Sequence, residues 1–271
     1  AVITFDVHPR QVVKADYCPR LLTPLSDKLA LLGATGIDLC WVLRFDAQMA
    51  AMSAREFLAQ VLARQMHVGC LVMGYDHHFG HDRQATFDDY VRWGGESGIR
   101  IVRAGGLDMA DASVSSSRIR RALRQGDVVE AAQCLGRPYT LTGTVVSGEQ
   151  QGRKIGFPTA NLSLADPCQL VPAGGVYEVS AQIGDKPEAY TAMMNIGTRP
   201  TFHGDHLTLE VHILHFQGNL YGRRLTVAFR RRLREERPFD SPEALARQLR
   251  QDISSIEHPS SPTSQKTQES L

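Results

Sequence analysis

The pattern of the chain changes once, at Leu135-Gly136-Arg137-Pro138, and any fold open to it must accommodate that change. Before it, apolar runs suited to strands (Ala1–Phe5, Asp38–Phe45, Gly69–Met73 and Ile99–Arg103) alternate with stretches of helical period. The first helix takes Ser26 as its cap, packs through Leu29, Leu31 and Leu32, and stops at Gly33 and Gly36. Ser53 and Glu56 make a capping box for a second, with Phe57, Leu58, Val61 and Leu62 inward. A third lies around Thr86–Trp93. Alternation at this rhythm predicts a parallel sheet covered by helices, with ligands bound at the C-terminal ends of its strands. After the change come only short strands and turns: Thr140–Val146, Gly175–Ile183, Ala189–Asn195, Leu207–Leu214 and Arg224–Leu233. So many turn-rich strands predict a small closed antiparallel barrel. Ser241 then caps a helix with Pro242 in its first turn and Leu245, Leu249 and Ile253 along one stripe. The predicted layout is an α/β domain over 1–136, a barrel domain over 137–256, and a polar, Pro/Ser-rich disordered tail over 257–271.

A formal net charge of +1 gives no global attraction to nucleic acid or anionic lipid. No apolar run approaches a membrane span, and the start has no signal-peptide architecture. Cys18, Cys40, Cys70, Cys134 and Cys168 form no C-x-x-C pair, which argues for a reducing cytoplasm and against structural zinc. Small molecules are therefore the expected partners, with neither nucleic acid nor membrane. The first residue is alanine, so the chain is expected to be processed or to lack part of its N-terminus.

Within the barrel half, Gly143–Leu162 carries the densest motif. A strand enters a polar loop punctuated by Gly148, Gly152 and Gly156, with Arg153 and Lys154 as cations, and leaves through Phe157-Pro158-Thr159-Ala160-Asn161. Such glycines let backbone amides face an anion. Pro158 favours an extended Phe157, so Thr159 and Asn161, two apart, should point the same way and could hold Mg²⁺ beside a nucleotide phosphate. The glycine spacing is not that of a Walker A loop, and spacing alone favours a flexible hairpin loop with solvated charges. In Leu207–Leu214 the apolar Leu207, Leu209, Val211 and Ile213 share one face, leaving Thr208, Glu210 and His212 on the other. Glu210 is either a general base lying under a substrate or an ordinary solvent-facing carboxylate.

The α/β half offers two further constellations. Ser115-Ser116-Ser117-Arg118 opens a helix with hydroxyls and a guanidinium, which suits either an anion site or simple capping. His77, His78 and His81 share one loop without a further ligand nearby, so they are expected to hydrogen-bond or contact a ligand rather than hold a metal. The arginine-rich run Arg223–Arg237 alternates with apolar residues, has glutamate neighbours and no aromatic platform, and reads as a solvated strand face.

Taken together these motifs resemble the bacterial bifunctional riboflavin kinase / FMN adenylyltransferases, also called FAD synthetases. The resemblance rests on GEQQGRKIGFPTAN (148–161), NIGTRPTF (195–202), LEVHIL (209–214), Tyr221-Gly222 and LREERPF (233–239) in the barrel half. In the α/β half it rests on TFDVHPR (4–10), GYDHHFGHDR (74–83) and SSSRIR (115–120). It implies a nucleotidylyltransferase-like, dinucleotide-binding α/β domain followed by a kinase barrel with a C-terminal helix. It further implies Thr159 and Asn161 as ligands of ATP-bound Mg²⁺, and Glu210 as the base for the 5′-hydroxyl of riboflavin. Gly148–Gly156, with Arg153 and Lys154, would cradle ADP phosphates, and Arg234 would lie on the flavin side. In the first half, Ser116, Ser117 and Arg118 would hold the ATP triphosphate, with Asp76 and Phe79 at the flavin and nucleotide pocket. FMN and FAD would be products rather than cofactors. The family's Gly-x-Phe-Asp-Gly-x-His-x-Gly-His element should precede Ala1, so the expectation is retained kinase activity with weak or absent adenylyl transfer. A non-catalytic flavin- or nucleotide-binding protein is the alternative.

Overall fold

The computed structural model describes residues 1–14, 16–74, 77–81, 85–105, 108–109, 112–148, 151–201 and 204–258, with the side chains at 108–109, 112–113, 151, 154, 199–201 and 204–206 outside that description. By contacts the chain divides into Ala1–Val114 and Ser115–Leu271.

In the first unit, β1 (Val2–Phe5) pairs in parallel with β2 (Cys40–Leu43), and β3 (Cys70–Met73) in parallel with β4 (Arg100–Arg103). Parallel pairing was expected, but among the described residues the ladders join the strands in two pairs rather than in one sheet. A two-stranded antiparallel ribbon, β5 (Asp108–Met109) with β6 (Ala112–Ser113), follows. One core serves both pairs: Leu58, Val61, Leu62, Met73, Tyr90 and Ile99 are buried, with Ile3, Leu43 and Ile101 packed against them. The Ser53/Glu56 capping box forms as predicted, and Thr86 and Asp89 make a second. The helix Phe57–Gln65 continues from the first box in π geometry and buries Leu58, Val61 and Leu62. Ser26 does not cap. The helix starts at Leu25 behind Pro24, which supplies no side-chain acceptor, and Ser26 bonds Asp27 instead.

The second unit opens with helices Ser116–Gln125 and Val128–Leu135, each ended by a left-handed glycine: Gly126 at φ 80° and Gly136 at φ 67°. Six antiparallel strands follow: β7 (Thr140–Val146), β8 (Ala160–Leu164), β9 (Gly175–Ile183), β10 (Ala189–Thr201), β11 (Gly204–Ile213) and β12 (Arg224–Arg234). They close a barrel in the order β10-β11-β8-β7-β12-β9. Five of the six are legible in the sequence; β8 lies where the sequence pattern shows only the exit of a loop. The helix pair preceding the barrel packs on it: Ala173 N–H donates to Leu123 O at 2.9 Å, and Gly126 lies so close to Arg232 and Tyr177 that a Cβ there would meet both at about 3.0 Å. Contacts therefore divide the chain at 115, whereas the sequence pattern changes at 137. The closing helix, Pro242–Glu257, is capped by Ser241 and lays Leu249, Ile253 and Ile256 against Val176, Met193, Leu214 and Leu233.

Candidate active site

Alternation along β11 sorts its side chains as expected. Leu209, Val211 and Ile213 are buried in the barrel, while Glu210 and His212 face outward and are half-buried. Leu207, earlier in the strand, is exposed. The register sets Glu210 opposite Asn195 of β10 on one side and opposite Asn161 of β8 on the other. Thr159 Oγ1 donates to Glu210 Oε2 at 3.2 Å. Ala160 and Leu162 are buried while Thr159 and Asn161, which alternate with them, are half-buried, so the pair does share a face. His212 holds the approach to that pair: its Nδ1 lies 2.8 Å from Pro158 O, and its ring meets Phe157 edge-on at 5.6 Å. A carbonyl can only accept, so the contact selects the tautomer with the proton on Nδ1.

The three loop glycines serve two different purposes. Only Gly156 uses a left-handed backbone, at φ 84°. Gly148 and Gly152 are required by proximity. A Cβ on Gly148 would sit 2.1 Å from Asn161 Nδ2, and one on Gly152 would sit 2.3 Å from Phe157 O and 3.4 Å from Thr159 Oγ1. Close approach to Asn161 and Thr159, more than freedom of φ, is what glycine supplies there. A single helical turn, Gln151–Lys154, fills the loop and leaves Arg153 exposed; the side chain of Lys154 lies outside the described residues.

Two clefts meet at Thr159. One, of about 420 Å³, is lined by Val145, Arg153, Pro158, Thr159, Phe216 and Tyr221. The other, of about 760 Å³, is lined by Thr159, Asn195, Glu210, Glu236, Phe239 and Leu249. Glu210 thus faces the larger cleft from the point where the smaller one ends. Arg234 also borders the larger cleft, but its guanidinium is engaged by Asp252, with contacts of 2.8, 2.9 and 3.2 Å. Asn195, Glu236 and Phe239 fall within NIGTRPTF and LREERPF, but neither motif singles them out. Asn195 is identified by its register opposite Glu210, and Glu236 by its approach of 3.4 Å to Asn195 Nδ2.

The first unit has a cleft of its own, of about 610 Å³, lined by Arg10, Phe45, Phe57, His77, Phe79 and His81. Phe79 is fixed from behind: buried Tyr90 Oη accepts from its N–H at 3.1 Å and donates to its carbonyl at 2.9 Å. Gly80, at φ 93°, lies where a Cβ would meet Ala54 N at 2.5 Å. The histidines line this cleft, and no group of three metal-ligating side chains occurs among the described residues. Asp76 lies outside the described residues. Ser115 is the cap of its helix, accepting from Arg118 N–H at 3.2 Å, with Ser116 and Ser117 exposed in the first turn. Arg118 pairs with Glu130 at 2.8 Å, which pushes its pKa above the ordinary value. These residues fall in the second contact unit, whereas Phe79 falls in the first. His78-Phe79-Gly80-His81 matches H-x-G-H, in the loop after β3 and without the Gly-x-Phe-Asp-Gly expected before the family's tetrapeptide.

An FAD synthetase family model matches residues 1–118, and a riboflavin kinase model matches residues 135–259. A bifunctional riboflavin kinase/FMN adenylyltransferase of Pseudomonas fluorescens is 38% identical over 93% of this chain and 80% of its own length. The chain belongs to that family. The counterpart in Escherichia coli K12 is 36% identical over 93% of this chain and 79% of its own, and that of Bacillus subtilis 35% identical over the same shares. Among solved structures, one described as a macrolide-efflux protein from Streptococcus pneumoniae superposes with a TM-score of 0.84 at 33% identity, over 96% of this chain and 84% of that one. The two family regions leave 119–134 between them, within the helix pair that contacts place with the barrel. No helix of the described residues is long and apolar enough to cross a membrane.

Proposed function

We propose that the barrel half of this bifunctional flavin enzyme transfers the γ-phosphoryl group of ATP to the 5′-hydroxyl of riboflavin at the junction of its two clefts. The α/β half, expected from sequence to be weak or inactive in adenylyl transfer, instead adenylylates the FMN so formed to FAD, as its match to the FAD synthetase model over 1–118 supports. The observation that carries the barrel assignment is Glu210, held by Thr159 at 3.2 Å where the two clefts meet. ATP occupies the smaller cleft, where Arg153 supplies positive charge and Phe216 and Tyr221 supply aromatic surface. Riboflavin occupies the larger one, its terminal hydroxyl directed to Glu210. As the new O–P bond forms, the alcohol proton passes to a Glu210 carboxylate oxygen and ADP departs. Phosphoryl transfer asks little of a protein beyond positioning and charge placement, so one carboxylate and a phosphate loop suffice.

The donor set suits Mg²⁺. Thr159 and Asn161 offer two neutral oxygens on one face, Gly148 keeps the loop backbone against Asn161, and Mg²⁺ characteristically takes few protein ligands and completes its shell with phosphates and water. When bound it neutralises phosphate charge. Asp76, Phe79, Ser116, Ser117 and Arg118 are assigned to the adenylyl-transfer reaction, with Phe79 as an aromatic wall for the flavin. Arg234 is assigned to the flavin side of the kinase cleft, as a support for its wall. The domains are taken as 1–136 and 137–256. No disulfide joins any of the five cysteines among the described residues, which is in keeping with a reducing cytoplasm as the place of action. A protein that only binds flavin would have no use for a carboxylate anchored at the acceptor position. Incubation with riboflavin, ATP and Mg²⁺ followed by separation of the flavins tests the proposal: FMN accumulates first and FAD follows. Absence of FMN overturns the kinase assignment, and FMN without FAD overturns the second activity.

A further inference from the structure

Three arginines spaced three apart, Arg231, Arg234 and Arg237, run from the end of β12 into the segment that borders the larger cleft. Each grips the closing helix Pro242–Glu257, one rung apart. Arg231 donates to Ser255 O at 2.8 Å, Arg234 forks onto Asp252, and Arg237 bonds Gln248 Oε1. Arginines that ascend by three meet helix residues that descend by three and four, the spacing of one helix face. Asp252 is the centre of this ladder. It is only 5% exposed, and besides Arg234 it accepts from Gln248 Nε2 at 2.8 Å, so the middle and outer rungs share it. Phe239 lies at 5.6 Å from the Arg234 guanidinium and 5.2 Å from that of Arg237. Its ring therefore rests on two cations whose own positions Asp252 and Gln248 set.

The same elements form one wall of the cleft faced by Glu210. Arg234, Arg237, Phe239, Leu245 and Leu249 all line it. We infer that Asp252 is a positioning residue for the flavin acceptor: through Arg234 and Gln248 it fixes Phe239 and the closing helix as the apolar wall on which the isoalloxazine ring rests. The inference rests on the assignment of this cleft to riboflavin. A buried carboxylate at this position orders Arg234 directly and Arg237 through Gln248, which an apolar residue could not do. The smaller cleft shares none of these side chains, so the effect is confined to one substrate.

Asp252→Asn in the full chain keeps the volume and a hydrogen-bond acceptor but removes the charge that orders Arg234. Arg237→Met removes only the exposed outer rung and keeps its contact with Phe239, and serves as the deciding variant should Asp252→Asn fail to fold. The measurements are KM for riboflavin, KM for ATP, kcat and the melting temperature. Asp252→Asn is expected to raise KM for riboflavin about tenfold, with kcat at saturation and KM for ATP within about twofold of the parent. Arg237→Met is expected to raise KM for riboflavin about threefold, again alone. Unchanged KM for riboflavin in the folded variants overturns the inference, as does a parallel rise in both KM values, which marks a general loss of structure. Glu210→Gln, measured alongside, separates the two levels. If it leaves turnover intact, the cleft is not the acceptor site and the assignment itself fails. If it abolishes turnover while the ladder variants leave KM for riboflavin untouched, only the role of Asp252 fails.

Discussion

Gly148→Ala adds one methyl group at the point where the phosphate loop touches Asn161. The new Cβ would lie 2.1 Å from Asn161 Nδ2, 2.5 Å from Cγ and 2.8 Å from Oδ1. Van der Waals contact between heavy atoms begins near 3.5 Å, so loop and amide must separate by roughly 1 Å or more. Asn161 cannot yield freely, because β8 is laddered to Glu210 and Ala160 behind it is buried. The loop therefore opens, or the amide swings out of the face that it shares with Thr159. A displacement of about 1 Å at a positioning group costs on the order of 100-fold in rate, or about 2.7 kcal/mol of transition-state stabilisation. Steady-state kinase assays should accordingly show kcat/KM for ATP falling about 100-fold. The melting temperature should stay within a few degrees, since Gly148 lies in a loop outside the barrel core. Parent-like kcat/KM for ATP in a folded Gly148→Ala would refute the close-approach reasoning and return the glycines to simple flexibility.

Two further outcomes are expected in the α/β half. Tyr90→Phe leaves both the amide and the carbonyl of Phe79 without their hydroxyl partner, a loss of about 1–3 kcal/mol in local order. FAD formation from FMN should then need more FMN while FMN formation from riboflavin is unchanged; equal kinetics of FAD formation in variant and parent would remove Tyr90 from the site. The caps give an acid dependence. Backbone and hydroxyl hydrogen bonds from Ser53 lower the pKa of Glu56, and those from Thr86 lower that of Asp89. A carboxylate whose folded pKa is depressed contributes stability that is complete above its unfolded pKa and is lost as pH falls through the folded one. Thermal melts should thus shift downward as pH falls through and below the ordinary carboxylate range near 4, and Glu56→Gln with Asp89→Asn should flatten that part of the curve. An undiminished slope in the double variant would show that these caps are not its source.

What the sequence made legible was whatever depends on local chemistry. The capping box at Ser53 and Glu56, the Ser241-Pro242 start of the last helix, and the bounds of β9 at Gly175 and Ile183 are set by residues a few positions apart. Elements that depend on distant partners were not legible. β8 is five residues long and follows a proline, and its strand character comes from ladders to β7 and β11 on either side. The ion pair of Arg234 with Asp252 is of the same kind. The stripe Leu245, Leu249, Ile253 indicates which helix face is apolar, but nothing local reveals that an aspartate near that face is buried against an arginine from β12. Glu210 lies between these cases. Alternation placed it on the outer face of β11, and family motifs gave it a role, yet its neighbours Asn195, Asn161 and Thr159 are brought to it only by barrel closure. Ser26 shows the opposite failure: a residue suited to capping sits one turn position inside a helix that Pro24 has already begun.

The central claim is that Glu210 takes the proton from the riboflavin hydroxyl at the meeting point of the two clefts. Single-turnover FMN formation by Glu210→Gln, with riboflavin and ATP affinities measured on the same protein, tests it most directly. Loss of a general base predicts a rate about 10²–10⁴-fold below the parent with both affinities within a few-fold. A parent-like rate would contradict the claim, as would a loss confined to riboflavin affinity, because either result makes Glu210 a contact of the cleft and not its base.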